Sequence, residues 1–133
     1  MPAHRAFEYA VVRVVPRVER EEFLNVGVIL YCKALRFLAA RVHVDEARLK
    51  AVFPDIDVDE VRRHLDHFVR VAQGGADAGP IGELSQAERF RWLSAPRSTI
   101  IQMSPAHAGL CADPANTLDH LMATRVLSPA RPQ

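Results

Sequence analysis

The sequence predicts an α+β fold. We expect one domain over residues 1–133, with a mostly antiparallel sheet of about five strands packed with three to four helices. Three observations predict it. Three β-branched apolar runs follow one another within the first 42 residues, and adjacent strands of this kind favour antiparallel pairing. Helical periodicity is then clustered between residues 45 and 93 rather than alternating with strands, which separates α+β from α/β. Finally, 133 residues with 49% hydrophobic and 25% charged content match one globular domain able to bury its own core.

The first strand is "FEYAVVRVV", residues 7–15. It is apolar on both sides, as an inner strand covered on both faces would be, and Pro16 ends it because proline cannot donate to a ladder. "RVEREEF" is charged enough for a solvated loop or a single helical turn. "NVGVILYC", residues 25–32, is the second strand, and its Gly27 signals a bulge or a close backbone approach. Only "KA" separates it from "LRFLAARV", residues 35–42, so the pair reads as a hairpin.

"DEARLKAVF" predicts a short helix capped by Asp45 and stopped at Pro54. "DVDEVRRHLDHFVRVAQGG" predicts the longest one. Val58, Val61, Leu65, Phe68, Val69 and Ala72 recur at helical spacing, Asp57 caps its start, and Gly74-Gly75 stops it. "GGADAGPIGEL" lacks the spacing of a phosphate-cradling loop and reads as a flexible connection. Ser85 and Glu88 form a capping box for "SQAERFRWL". Beyond Pro96, "TIIQM" and "HAGLCA" read as a terminal hairpin turned by "SP". Asp113 and Pro114 open a last helix, with Leu118, Leu121, Met122 and Val126 on its buried stripe. The core is expected over 7–127, with "SPARPQ" as a frayed tail.

The formal net charge is +1, which gives no global pull toward nucleic acid or anionic membrane. Cys32 and Cys111 each sit in an apolar run, outside any C-x-x-C pair, and read as buried free thiols of a reducing compartment. No apolar run reaches the about 20 residues a membrane helix needs, and "MPAHRAFEYA" has no signal-peptide core. A cytoplasmic protein is expected.

No catalytic motif of high specificity is present. The candidate binding residues are Arg13, Asn25, Arg97, Ser98, Gln102 and His107. Arg13 lies inside an apolar strand and needs either an anion or a salt bridge, with Glu21 or Glu22 as structural partners. Asn25 opens a strand, where it anchors a turn or offers its amide to a ligand. Arg97, Ser98 and Thr99 combine a guanidinium, hydroxyls and loop amides that grip phosphate or carboxylate, or else make a capped turn. His107 comes near Gln102 or Ser104 if the two rear runs pair. His64 and His67 lie three apart on the long helix, but Arg62, Arg63 and Arg70 around them would repel a cation. No metal and no cofactor are expected. The same arginines form a solvated basic face, and the interleaved Asp66 and the lack of exposed aromatic pairs argue against nucleic acid.

The segment "YAVVRVVPRVEREEFLNVGVILYC" with "RFLAARV", and later "ERFRWLSAPRSTIIQMSPAHAGLCADP", resembles the bacterial family known as domain of unknown function 3037. The resemblance runs from about Phe7 to about Leu127. This chain departs from the family's pattern at Ala108, where a threonine is expected. The resemblance implies a small cytoplasmic protein and an association with HipA-like serine/threonine kinases. An interaction or regulatory module working with a partner protein is therefore the first functional expectation. A phosphate- or carboxylate-binding domain or enzyme built on Arg13, Arg97, Ser98 and His107 is the second.

Overall fold

The computed structural model describes residues 3–97 and 99–127. The expected frayed tail lies outside them. Among the described residues the elements run β1 (Arg5–Val14), β2 (Leu24–Cys32), β3 (Phe37–Val42), α1 (Glu46–Val52), α2 (Val58–Gln73), α3 (Gln86–Ser94), β4 (Ile101–Met103), β5 (His107–Cys111) and α4 (Pro114–Arg125). The five strands make one antiparallel sheet, so the fold is the expected α+β.

β1 is the central strand. One edge pairs with β2, which pairs with β3. The other edge pairs with β4 along Val12–Val14 and with β5 along Arg5–Tyr9. The expected terminal hairpin does not form. β4 and β5 instead lie end to end, as one broken strand against β1. Pro105, without an N–H, interrupts the ladder, and Ser104 repairs it. Its backbone N–H donates to Val11 O at 2.9 Å, and its hydroxyl accepts from Val11 N–H at 2.8 Å. His107 accordingly pairs with Tyr9, not with Gln102 or Ser104.

Alternation along β1 builds two cores. Ala10, Val12 and Val14 face Leu49 of α1 and the apolar stripes of α2 and α3. Phe7 faces the other way, with Val28, Leu30, Cys32 and Cys111, onto Leu118, Leu121 and Met122 of α4. The strand is apolar on both sides because helices cover both faces. Both cysteines are free and buried.

The anticipated caps are in place. Asp45, Asp57 and Ser85 accept from the backbone N–H three residues on, and Asp113 from those of Ala115 and Asn116. Two turns differ from expectation. The β2–β3 turn is Lys33–Arg36 rather than "KA", with Arg36 in the left-handed region at φ 51°. The glycine-rich segment is an ordered pair of 3-10 turns, Ala76–Ala78 and Pro80–Glu83, not a loose connection. What orders it is Arg89, an α3 residue on the buried side. Its guanidinium donates to Val71 O, Ala72 O and Leu84 O at 2.7–3.0 Å, tying the end of α2 to the loop.

Candidate functional site

A bulge sets the geometry. Val12 pairs with Gly27, but Arg13 pairs with Asn25, leaving Val26 as the extra residue. The shift reverses which side each β2 residue faces. Val26 turns into the α2–α3 core, and Asn25 turns to the α4 side, where its Nδ2 donates to Arg125 O at 3.0 Å. Gly27 is required here, since a Cβ would lie 2.5 Å from Arg41 O. On the other edge Arg13 pairs with Gln102. Arg13, Asn25 and Gln102 thus form one row across three strands, beyond the end of α4.

The row is polar but incompletely satisfied. Arg13 has no ion pair among the described residues, and Glu22, one of its two expected partners, pairs with Arg20 instead. The Arg13 guanidinium rests 4.1 Å from the centroid of the Phe23 ring, a cation–π contact. Arg13 Nε and Asn25 Oδ1 are buried and have no hydrogen-bond partner among the described residues. Such groups are costly to leave unpaired. The Gln102 amide donates to Thr99 O at 3.2 Å.

His107 lies on the same side of the sheet, further along. It is exposed, and its ring is 5.2 Å from that of Tyr9, its cross-strand partner. Tyr9 and Arg13 are four residues apart on β1, about 13 Å at strand rise. Tyr9 also stacks on Phe7, at 6.1 Å between centroids. The strip from Phe23 through Arg13 to Tyr9 and His107 runs beside α4; Phe23 and His107 are exposed, Arg13 and Tyr9 half-buried, and Val11 between those two is buried.

Arg97 is elsewhere. It belongs to the α2–α3 side, with its guanidinium 4.9 Å from the Phe68 ring and 4.5 Å from the Trp92 ring. It donates to Trp92 O, Leu93 O and Ala95 O at 2.6–3.2 Å, so it caps the end of α3. Burial lowers its pKa from the ordinary arginine value. Ser98 lies outside the described residues. His64 Nε2 is 3.7 Å from Glu60 Oε1, whereas His67 meets the Trp92 ring edge-on.

The structure therefore brings Arg13, Asn25 and Gln102 together, sets His107 on the same face, and separates Arg97 from them. Phe23 and Tyr9 complete the strip and were not among the sequence candidates. An aromatic closing the charged run "RVEREEF" was the available signal for Phe23. Asn25 lines a small cavity of about 20 Å³ with His43, Arg48 and Val126. An open depression of about 640 Å³ lies between Phe7, Leu110 and the outer side of α4, and a cleft of about 570 Å³ lies at the end of the sheet near Arg17.

Among the described residues no helix is long and apolar enough to cross a membrane. No curated protein and no solved structure matches the chain. A family model does match, over residues 9–126, with the description "Protein of unknown function (DUF3037)". That span takes in β1 from Tyr9, the other four strands and all four helices, so the chain belongs to the domain of unknown function 3037 family.

Proposed function

We propose that the protein is a non-enzymatic interaction module, and that a partner protein docks on the partly exposed strip of the α4-side sheet face. The observation that carries this is the row of Arg13 and Asn25, whose buried Nε and Oδ1 lack partners among the described residues, beside the exposed Phe23 and His107. A small ligand would be better served by a concave site. Aromatic and arginine side chains at the centre of a face suit a protein interface, and Phe23, at 44% exposure, and Tyr9 supply the apolar contacts. The unpaired positive charge of Arg13 favours a partner segment carrying an aspartate or glutamate beside an apolar side chain. The family resemblance points to a HipA-like serine/threonine kinase as that partner.

Titration calorimetry of such a kinase from the same genome, against wild type, Arg13→Met and Tyr9→Ala, tests the reading. Arg13→Met keeps the packed stem and removes the unpaired buried donor, so stability should move by less than about 0.5 kcal/mol. Binding should weaken about tenfold or more, on the order of 1.4 kcal/mol. Unchanged affinity in both variants, or no binding by the folded wild type, would sink it. The second reading, a free phosphate or carboxylate on Arg13, predicts instead that inorganic phosphate alone raises the melting temperature.

A further inference from the structure

The cleft at the end of the sheet belongs to neither site so far described. Three segments build it. Pro16 stops β1 and turns the chain into residues 17–22, which make a 3-10 turn over Val18–Arg20. Glu21 closes that turn in the left-handed region at φ 56°, and Arg20 folds back onto Glu22. Facing this loop is the α1–α2 connection, where Phe53 N–H donates to Leu49 O at 2.7 Å and Ile56 N–H donates to Phe53 O at 3.1 Å. The third segment is the approach to β4, fixed where Val15 N–H donates to Ile100 O at 2.7 Å.

The volume is about 570 Å³, within the usual range for small-molecule sites. Its apolar lining is Phe53, Ile56 and Ile100, which pack against the α2–α3 core, and Val52, which is 45% exposed. Six charged residues line it. Arg17, Arg20 and Glu22 come from the β1–β2 loop, while Asp55, Asp57 and Glu60 come from the α1–α2 connection and the first turn of α2. Four of the six are engaged: Arg20 pairs with Glu22, Asp57 caps α2 by accepting from Glu60 N–H at 3.1 Å, and the Glu60 carboxylate lies 3.7 Å from His64 Nε2. Among the described residues neither Arg17 nor Asp55 forms an ion pair.

From these observations we propose that the cleft binds a small zwitterion with an apolar body, of the class of an apolar amino acid or a short apolar peptide. The ligand's carboxylate meets Arg17, its ammonium meets Asp55, and its side chain covers Val52, Phe53 and Ile56. An anion alone would be opposed by the carboxylates of the α1–α2 side, and a cation alone would leave Arg17 unanswered, because Glu22 is already paired with Arg20. A ligand carrying both charges satisfies both walls, and its apolar body takes Val52 out of water. This site is independent of the sheet-face strip.

The experiment is calorimetric titration of the full chain with L-leucine, L-phenylalanine and the dipeptide Leu-Leu, alongside N-acetyl-leucine and leucinamide. Each of the last two lacks one charge. Saturable binding of a zwitterion is expected, weakened at least tenfold when either charge is blocked. Tighter binding of the dipeptide than of the amino acids would assign the site to peptides, and the reverse order to free amino acids. Arg17 and Asp55 are exposed, so Arg17→Ala and Asp55→Ala should fold as wild type and each weaken binding tenfold, while Arg13→Met should not change it. Absence of binding at millimolar ligand, or binding indifferent to both cleft variants, overturns the proposal.

Discussion

Three arginines lie in or near the core, and each meets the demand of burial differently. Arg89 is 8% exposed and spends its donors on three backbone carbonyls. Arg97 does the same at the end of α3 and adds two aromatic faces. Of the three, Arg13 keeps a buried donor without an acceptor among the described residues, and this is what marks it for a role beyond structure. Arg89→Met should destabilise the fold by about 3 kcal/mol, because carbonyls that received charge-assisted bonds lose them together. Chemical denaturation checks this, and a loss below about 1 kcal/mol would contradict the account. In the sequence Arg13 and Arg97 both read as candidates, the first for its apolar strand and the second for the hydroxyls of Ser98 and Thr99 beside it. The difference is tertiary: one meets carbonyls of its own helix, the other meets a bulge that no local pattern fixes. Arg89 passed unnoticed because, at the spacing of "SQAERFRWL", it reads as an ordinary polar helix position.

At the scale of elements, the helices were the legible part. Their caps and stripes are local signals, and Asp45, Asp57, Ser85 and Asp113 all act as N-caps. The rear strands were legible as strands but not in their pairing. A proline between two apolar runs is compatible with a turn or with a break in one continuous strand. Only the neighbour decides, and here β1 offers ten residues of ladder. The break depends on Ser104, which is 3% exposed. Ser104→Ala leaves the Val11 N–H buried without its acceptor and should cost about 1–3 kcal/mol, read by urea denaturation. It should also loosen the register of β5, seen as faster amide exchange at Gly109 and Cys111, which lie opposite Phe7 and Arg5. A stability equal to wild type would mean that the hydroxyl does not hold the strand together. The glycine-rich segment misled for a related reason. Glycine suggests freedom, yet a Cβ on Gly82 would lie 2.1 Å from Gly75 O, so here it serves close packing.

For the whole molecule, the fold class followed from the order of elements, and the doubly apolar β1 anticipated helices on both faces. The partly exposed strip did not follow. It exists because α4 is 12 residues long and packs chiefly on β2 and β3, leaving Phe23 and His107 exposed beside it, and the position of a helix across a sheet is not written in its own periodicity. The buried thiols under α4 give the molecule a predicted pH response. Burial, reinforced by the neighbouring Cys32, raises the Cys111 pKa above its ordinary value. The neutral thiol is therefore favoured by folding. Its contribution is fully present below the unfolded thiol pKa and is lost as pH rises through the folded one. Stability measured by urea denaturation should fall above about pH 9, and fall less steeply in Cys111→Ala. An equal slope in the two proteins would show that other groups govern the alkaline limit.

The claim that the partly exposed strip is the docking surface is tested most directly by amide hydrogen exchange on the complex with a HipA-like kinase. The account predicts added protection at residues 9–13, 23–25 and 101–111, with α2 and α3 exchanging as in the free protein. Protection centred on α2 and α3, with the strip unchanged, would contradict it.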